Sequence, residues 1–262
     1  MRLLNVTNLT KTFGGLVAIN NINFSMEPGQ IVSVIGPNGA GKTTFFNMIS
    51  GYYVPDSGTI TFDGRNLTKL SPERVAQQGI ARTFQNIRLF KDMLVAENIL
   101  VGRYMRMHEN IVDIVLRLPK MRREERAAYD KVLELLDYVG LSGKEGELAK
   151  NLSYGQQRRL EIARALAIEP KLLLLDEPAA GLNPKETEEM KSFILKLRRE
   201  KDMTILLIEH DMKLVMGLSD RITVINYGVK IAEGTPGEIQ KNQEVIEAYL
   251  GNEDDDEAAE EV

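Results

Sequence analysis

Gly36-Pro-Asn-Gly-Ala-Gly-Lys-Thr-Thr44 decides the fold. An apolar, β-branched run, Ile31-Val-Ser-Val-Ile35, precedes it, and Phe45-Phe-Asn-Met-Ile49, which reads as a helix, follows. The pattern G-x-x-x-x-G-K-[ST] between a strand and a helix is a phosphate cradle. Glycines at 36, 39 and 41 let the backbone curl so that its N–H groups converge on an anion. The helix opening near Lys42 adds the positive end of its dipole at the same point. Lys42 brings a point charge to the β- and γ-phosphates, and the Thr43 hydroxyl is able to ligate Mg²⁺. A nucleoside triphosphate is the expected ligand.

The chain has 262 residues, 43% hydrophobic and 27% charged, ordinary for a globular protein of one large or two small domains. No apolar run reaches the ~18–20 residues that cross a bilayer. The start, Met1-Arg-Leu-Leu-Asn-Val6, has no signal-peptide layout. The expectation is a cytosolic chain linked to any membrane through another subunit. The absence of cysteine excludes disulfides, thiolate metal sites and cysteine nucleophiles. A net charge of −5 gives no basic footprint for nucleic acid. Much of the acidity lies in Glu253-Asp-Asp-Asp-Glu257 and the residues after it, so 252–262 is expected to be a disordered, solubilising tail.

Residues 3–8 and 16–26 alternate as strands, and Glu27-Pro-Gly29 turns into the phosphate-loop strand. Phe13, between them, is placed either to stack on a base or to fill core. Thr59-Ile-Thr-Phe-Asp-Gly64 reads as an antiparallel strand closing in a turn. Ser71-Pro-Glu73 starts a helix, and Ile80-Ala-Arg-Thr-Phe84 is a strand delivering Gln85 to a loop. Residues 94–139 read as mostly helical, with an amphipathic Ile111-Val-Asp-Ile-Val-Leu116 and His108 at the surface. Ser153 is placed as the N-cap of a helix whose apolar stripe is Leu160, Ile162, Ala163, Leu166 and Ala167. Lys171-Leu-Leu-Leu-Leu175 and Thr204-Ile-Leu-Leu-Ile208 are buried parallel strands, with a helix from Asn183-Pro184 to about Lys201 between them. Two short strands, 221–226 and 229–233, and a helix near 245–250 complete the chain.

Asp176, at the tip of an apolar strand, is where a phosphate-loop protein needs an acid for Mg²⁺. Glu177 faces another way and is a candidate to polarise the attacking water. The bland alternative is a pair of carboxylates capping a strand. Gln85 and His210 each follow a strand and can reach the metal, the water or the γ-phosphate; taken singly, each reads equally as a loop residue.

In combination these motifs resemble the ATP-binding subunits of ABC transporters. The likeness runs from residue 2 to about 250 and rests on the phosphate loop, Gln85, Leu152-Ser-Tyr-Gly-Gln156, Leu172-Leu-Leu-Leu-Asp176-Glu177 and His210. It implies an α/β P-loop ATPase fold in one domain, 1–251. A mixed-sheet core with an antiparallel β subdomain would take 1–84 and 164–251, and a helical subdomain 85–163. It also implies that two such subunits pair head to tail around two ATP molecules. On that resemblance ATP is held by Phe13, which stacks on adenine, and by Gly36, Pro37, Asn38, Gly39, Ala40, Gly41, Lys42, Thr43 and Thr44. Mg²⁺ is held by Thr43, Gln85 and Asp176, and Glu177, His210 and Gln85 serve catalysis. Ser153, Tyr154, Gly155 and Gln156 meet the partner's ATP. Tyr154 stands where glycine is usual, and Ala180-Gly-Leu-Asn183 replaces a loop that commonly ends in aspartate.

A closer likeness joins Thr83-Phe-Gln-Asn-Ile-Arg-Leu-Phe-Lys-Asp-Met-Leu-Val-Ala-Glu-Asn98, the long insert after it, Leu152-Ser-Tyr-Gly-Gln-Gln-Arg-Arg-Leu-Glu-Ile-Ala-Arg164 and Glu247-Ala-Tyr-Leu-Gly251 to ATPases of branched-chain amino acid importers. That group implies a second, non-identical ATPase subunit, two membrane permeases and, indirectly, a periplasmic amino-acid-binding protein. It places the chain at the cytoplasmic face of the inner membrane. The alternatives are an ATPase of lipopolysaccharide-export type, a soluble ABC ATPase and a small-molecule kinase. The soluble ABC ATPase would need coiled-coil, zinc or tandem modules that the sequence lacks, and the signature segment argues against a kinase.

Overall fold

Strands buried on both faces need a nearly continuous apolar run, and three pentapeptides here meet that demand but for one polar residue each, Ser33, Asp176 and Thr204. The computed structural model describes residues 2–104 and 119–250, with only the backbone of 119–122 and 250. His108, the run 111–116 and the acidic tail lie outside the described residues. The strands are β1 (Leu4–Phe13), β2 (Leu16–Met26), β3 (Ile31–Ile35), β4 (Ser57–Phe62), β5 (Arg65–Asn66), β6 (Ile80–Arg82), β7 (Leu172–Asp176), β8 (Thr204–Ile208), β9 (Arg221–Asn226) and β10 (Val229–Gly234). The helices are α1 (Lys42–Ile49), α2 (Pro72–Gln77), α3 (Val95–Tyr104), α4 (Pro119–Tyr138), α5 (Tyr154–Leu166), α6 (Pro184–Lys201), α7 (Met212–Leu218), α8 (Pro236–Ile239) and α9 (Gln243–Leu250).

Among the described residues there are two sheets. One is mixed, in the order β10-β9-β3-β8-β7-β6, with β9, β3, β8, β7 and β6 parallel and β10 antiparallel at the edge. The other is antiparallel, β2-β1-β4-β5. The period of two sorts each buried strand between two cores. Val32, Val34, Leu172, Leu174, Leu206 and Ile208 face α1 and the antiparallel sheet. Ile31, Leu173, Leu175, Ile205 and Leu207 face the helical side, packing with residues of α3, α4, α5 and α6. Each fully buried leucine contributes roughly 2 kcal/mol. The parallel pairing therefore holds the sheet rigid beneath its loops.

Some elements differ from the expectation. β1 continues to Phe13 rather than stopping at residue 8, so Phe13 ends a strand at the Gly14-Gly15 hairpin. β6 stops at Arg82, although the Thr83 N–H still reaches the Leu174 carbonyl at 3.0 Å. α9 begins at Gln243. The subdomain boundary expected at residue 163 falls inside α5, whose Leu160, Ile162 and Leu166 share one core. Gln85, Glu177 and His210 all follow the carboxyl ends of parallel strands, where open α/β sheets hold ligands.

Candidate functional site

The phosphate loop can curl only because of two glycines. A Cβ on Gly36 would lie 1.9 Å from the Ile225 carbonyl oxygen, and one on Gly41 would lie 2.4 Å from that of Ala18. Both have left-handed φ values, 151° and 101°. Gly41 leads directly into α1, which has no side-chain cap. Its first-turn N–H groups, which like those of any helix have no intrahelical acceptor, are thus left uncapped at the end of the loop. The Lys42 ammonium is buried there and donates to the carbonyls of Gly36 (2.6 Å) and Pro37 (2.8 Å). Burial pushes its pKa down, and the Glu177 and Asp176 carboxylates oppose that shift.

The loop forms one wall of a cavity of about 600 Å³, lined by Asn38 to Thr44 and also by Phe13, Gln85, Glu177, His210 and Tyr227. Most of the predicted nucleotide and catalytic residues thus come together here. Phe13 is 40% exposed, with its ring edge on Tyr53 at 5.2 Å, so it is not core. Glu177 adopts φ 48° and donates its N–H to the Ile208 carbonyl. Its side chain is gripped at both oxygens: Gln85 Nε2 donates to Oε2 and His210 Nε2 meets Oε1, each at 2.8 Å. Behind it, Glu209 is buried and accepts the backbone N–H groups of Ala179 and His210. Desolvation raises the pKa of Glu209 despite those hydrogen bonds.

Asp176 sits apart from this wall. It is paired with Arg82 at 2.9 Å, both side chains being 7% exposed. Neither Gly36 nor Pro37 lines the cavity either; both act through the carbonyls that hold Lys42. Hydroxyl, amide and carboxylate oxygens from Thr43, Gln85 and Asp176 make the hard donor set that Mg²⁺ prefers.

Ser153, Gly155 and Gln156 line a different concavity, about 200 Å³, which shares no residue with the first. There Ser153 caps α5 in a reciprocal box with Gln156. Gly155 approaches Glu186 so closely that a Cβ would stand 3.1 Å from its carboxylate. Tyr154 lays its ring against Gly181, which explains how the loop after Glu177 accommodates the departure from glycine. Asn183 caps α6, accepting from the Glu186 N–H at 3.0 Å. The chain therefore keeps its two expected ATP-contacting surfaces apart.

Sequence reasoning missed Arg82, Arg158 and Glu209. Arg158, 1% exposed, donates to the carbonyls of Phe84 and Gln85 and pairs with Glu161, tying α5 to the loop that carries Gln85. A signal existed for that pair: two opposite charges three apart, interrupting the apolar stripe of a helix. Arg82 and Glu209 carried no local signal.

Family models match the chain twice: ABC transporter over residues 19–180, and branched-chain amino acid ATP-binding cassette transporter over residues 229–255. The chain is 51% identical to the high-affinity branched-chain amino acid transport ATP-binding protein BraF of Pseudomonas aeruginosa, across 95% of this chain and 98% of that one. It is 50% identical, over the same shares, to LivG of Escherichia coli, which carries the same description. Among solved structures it resembles the ADP conformation of an ATP-binding cassette of an ABC transporter (TM-score 0.83, 32% identity, 96% of this chain and 99% of that). It also resembles a dimeric cassette in a post-hydrolysis state bound to ADP and Pi (TM-score 0.75, 26% identity, 89% and 98%). Matched at about half its positions over nearly its whole length, the chain is an ATPase that belongs to the ABC transporter family, among the branched-chain amino acid transport ATP-binding proteins.

Proposed function

We propose that this chain hydrolyses MgATP to power uptake of branched-chain amino acids, working at the cytoplasmic face of the inner membrane. It would do so with a second, non-identical ATP-binding subunit, two permeases and, through them, a periplasmic binding protein. The observation that carries the chemistry is the doubly held Glu177 on the wall of the phosphate-loop cavity. The relatives' names support the substrate class. No helix among the described residues is long and apolar enough to cross a membrane, which fits attachment through permeases.

In this reading the loop amides and the α1 N-terminus bind the phosphates, and Phe13 stacks on the adenine. Lys42 has three N–H bonds; two are aimed at carbonyls, which leaves one for a phosphate oxygen. Thr43, Gln85 and Asp176 would hold Mg²⁺, which when bound offsets charge on the β- and γ-phosphate oxygens. Glu177 orients the attacking water, and His210 and Gln85 fix its carboxylate. Each carboxylate oxygen carries one contact and keeps a second lone pair, so a water can be held in line while the grip persists. Ser153, Tyr154, Gly155 and Gln156 would complete the other subunit's site, so turnover requires a closed pair.

Glu177→Gln is expected to keep ATP binding while cutting turnover by about 100-fold or more. The deciding assay measures ATPase activity of the chain alone, then with its partner subunit and permeases in lipid, with and without loaded binding protein. Stimulation by leucine-, isoleucine- or valine-loaded binding protein supports the reading. Full activity indifferent to every membrane component contradicts it.

A further inference from the structure

The ion pair of Arg82 with Asp176 is not explained by stability. Taking both charges out of water costs several kcal/mol, and an apolar pair of similar volume would often do as well or better. Arg82 also leaves its Nε buried without an acceptor, a further cost. What the arrangement provides is orientation. Nη2 donates to Asp176 Oδ2 at 2.9 Å, while Nη1 donates to Asn47 Oδ1 at 2.7 Å and Ser50 Oγ at 2.9 Å. Asn47 lies on α1 and Ser50 caps its end, so the fork is anchored to the helix that begins at Lys42. Three rings surround the guanidinium: Phe84 at 5.0 Å, Phe46 at 5.7 Å and Tyr52 at 5.8 Å. A planar group held on its edge by hydrogen-bond acceptors and on its flanks by aromatics has little freedom. The Asp176 carboxylate must follow it.

We propose that Arg82 is a positioning residue for Asp176, setting the carboxylate's aim for Mg²⁺ and linking that aim to the loop that carries Gln85. The link is Phe84, which neighbours Gln85 in the chain and packs against both Arg82 and Arg88, the latter at 4.2 Å. A shift of this loop moves one wall of the Arg82 cage, and with it the metal ligand 94 positions away. The inference rests on reading Asp176 as a metal ligand. It assigns Arg82 no contact with nucleotide.

The test uses the full chain, with Mn²⁺ as the probe ion followed by electron paramagnetic resonance at saturating ATPγS. A fluorescent ATP analogue titrated in EDTA reports nucleotide binding without metal. Arg82→Lys keeps the charge but loses the fork, and is expected to raise the Mn²⁺ concentration at half-saturation about tenfold, the usual scale for an outer-shell partner. Asn47→Ala keeps Arg82 and removes one anchor, and should raise it about threefold. Metal-free nucleotide binding should stay within about twofold in both, a pattern that lost stability alone would not produce. Folded variants, judged by melting, that bind Mn²⁺ as the wild type does would overturn the proposal. If Arg82→Lys fails to fold, Asn47→Ala decides alone. A wild-type chain that takes up no Mn²⁺ with nucleotide would sink the reading of the site together with this inference.

Discussion

Two helix N-termini in this molecule handle the same problem differently. Each helix begins with N–H groups that have no acceptor within the helix. At α1 no side chain caps them; the glycine loop wraps around the end instead, and Lys42 lies buried among its carbonyls. At α5 the chain supplies its own cap, but the bond from the Gln156 N–H to Ser153 Oγ is long, 3.4 Å, and exposed. One terminus is arranged for an anion within a cavity of its own chain. The other is provisionally satisfied and turned outward, where an acceptor from another molecule can replace a weak bond. On the proposed reading, this difference lets one sequence carry both halves of a site without joining them.

The largest effect should come at α1. Lys42→Ala removes the buried charge, and nucleotide binding by the chain alone should fall about 100-fold, the upper range for a charge-assisted contact. A fluorescence titration showing a change below about threefold would erase the contrast. At α5, Ser153→Ala should leave the chain's own nucleotide binding within about twofold but lower ATPase activity of the assembled transporter about tenfold. It should also cost about 1 kcal/mol of stability as a lost cap. Weakened binding in the isolated chain would mean that the outward terminus serves its own cavity after all.

The smallest effect concerns Glu209, behind the α1 cavity. Its burial raises its pKa, so the unfolded chain releases this proton first as pH rises. The contribution to stability is whole below the ordinary carboxylate value and fades as pH climbs through the raised folded value. Glu209→Gln should therefore gain on the wild type in melting temperature as pH rises above the ordinary carboxylate value. A gap that does not change with pH would remove the carboxylate's charge from the explanation.

Much of this is legible because it is local. The glycines of the phosphate loop, the four-residue apolar runs of β7 and β8, the Ser153 cap and the Asn183-Pro184 start each announce themselves within a few residues. α6 begins and ends where its caps and composition place it. Arg82 is hidden because its partner is 94 positions distant, and Arg158 reaches carbonyls 73 and 74 positions away. Periodicity tells which face of an element is buried; it does not tell which remote carboxylate faces it there. Phe13 is ambiguous in sequence for the same reason, since core and cavity wall look alike until the hairpin is placed beside the phosphate loop. Sequence assigns Lys42 to phosphate alone; that it also binds the backbone of its own loop depends on the curl of that loop in three dimensions.

The turn at Glu177 has a consequence for what can stand there. An L-residue at φ 48° holds left-handed backbone that glycine adopts without strain, a difference of about 1 kcal/mol. Glycine there would also remove a carboxylate whose charge disfavours ionised Glu209. Such a change would ease the backbone but forfeit the contacts with Gln85 and His210, and with the proposed water-orienting group gone the chain would no longer turn over ATP. Glutamate in this turn therefore trades backbone ease for a carboxylate held in place at the cavity wall.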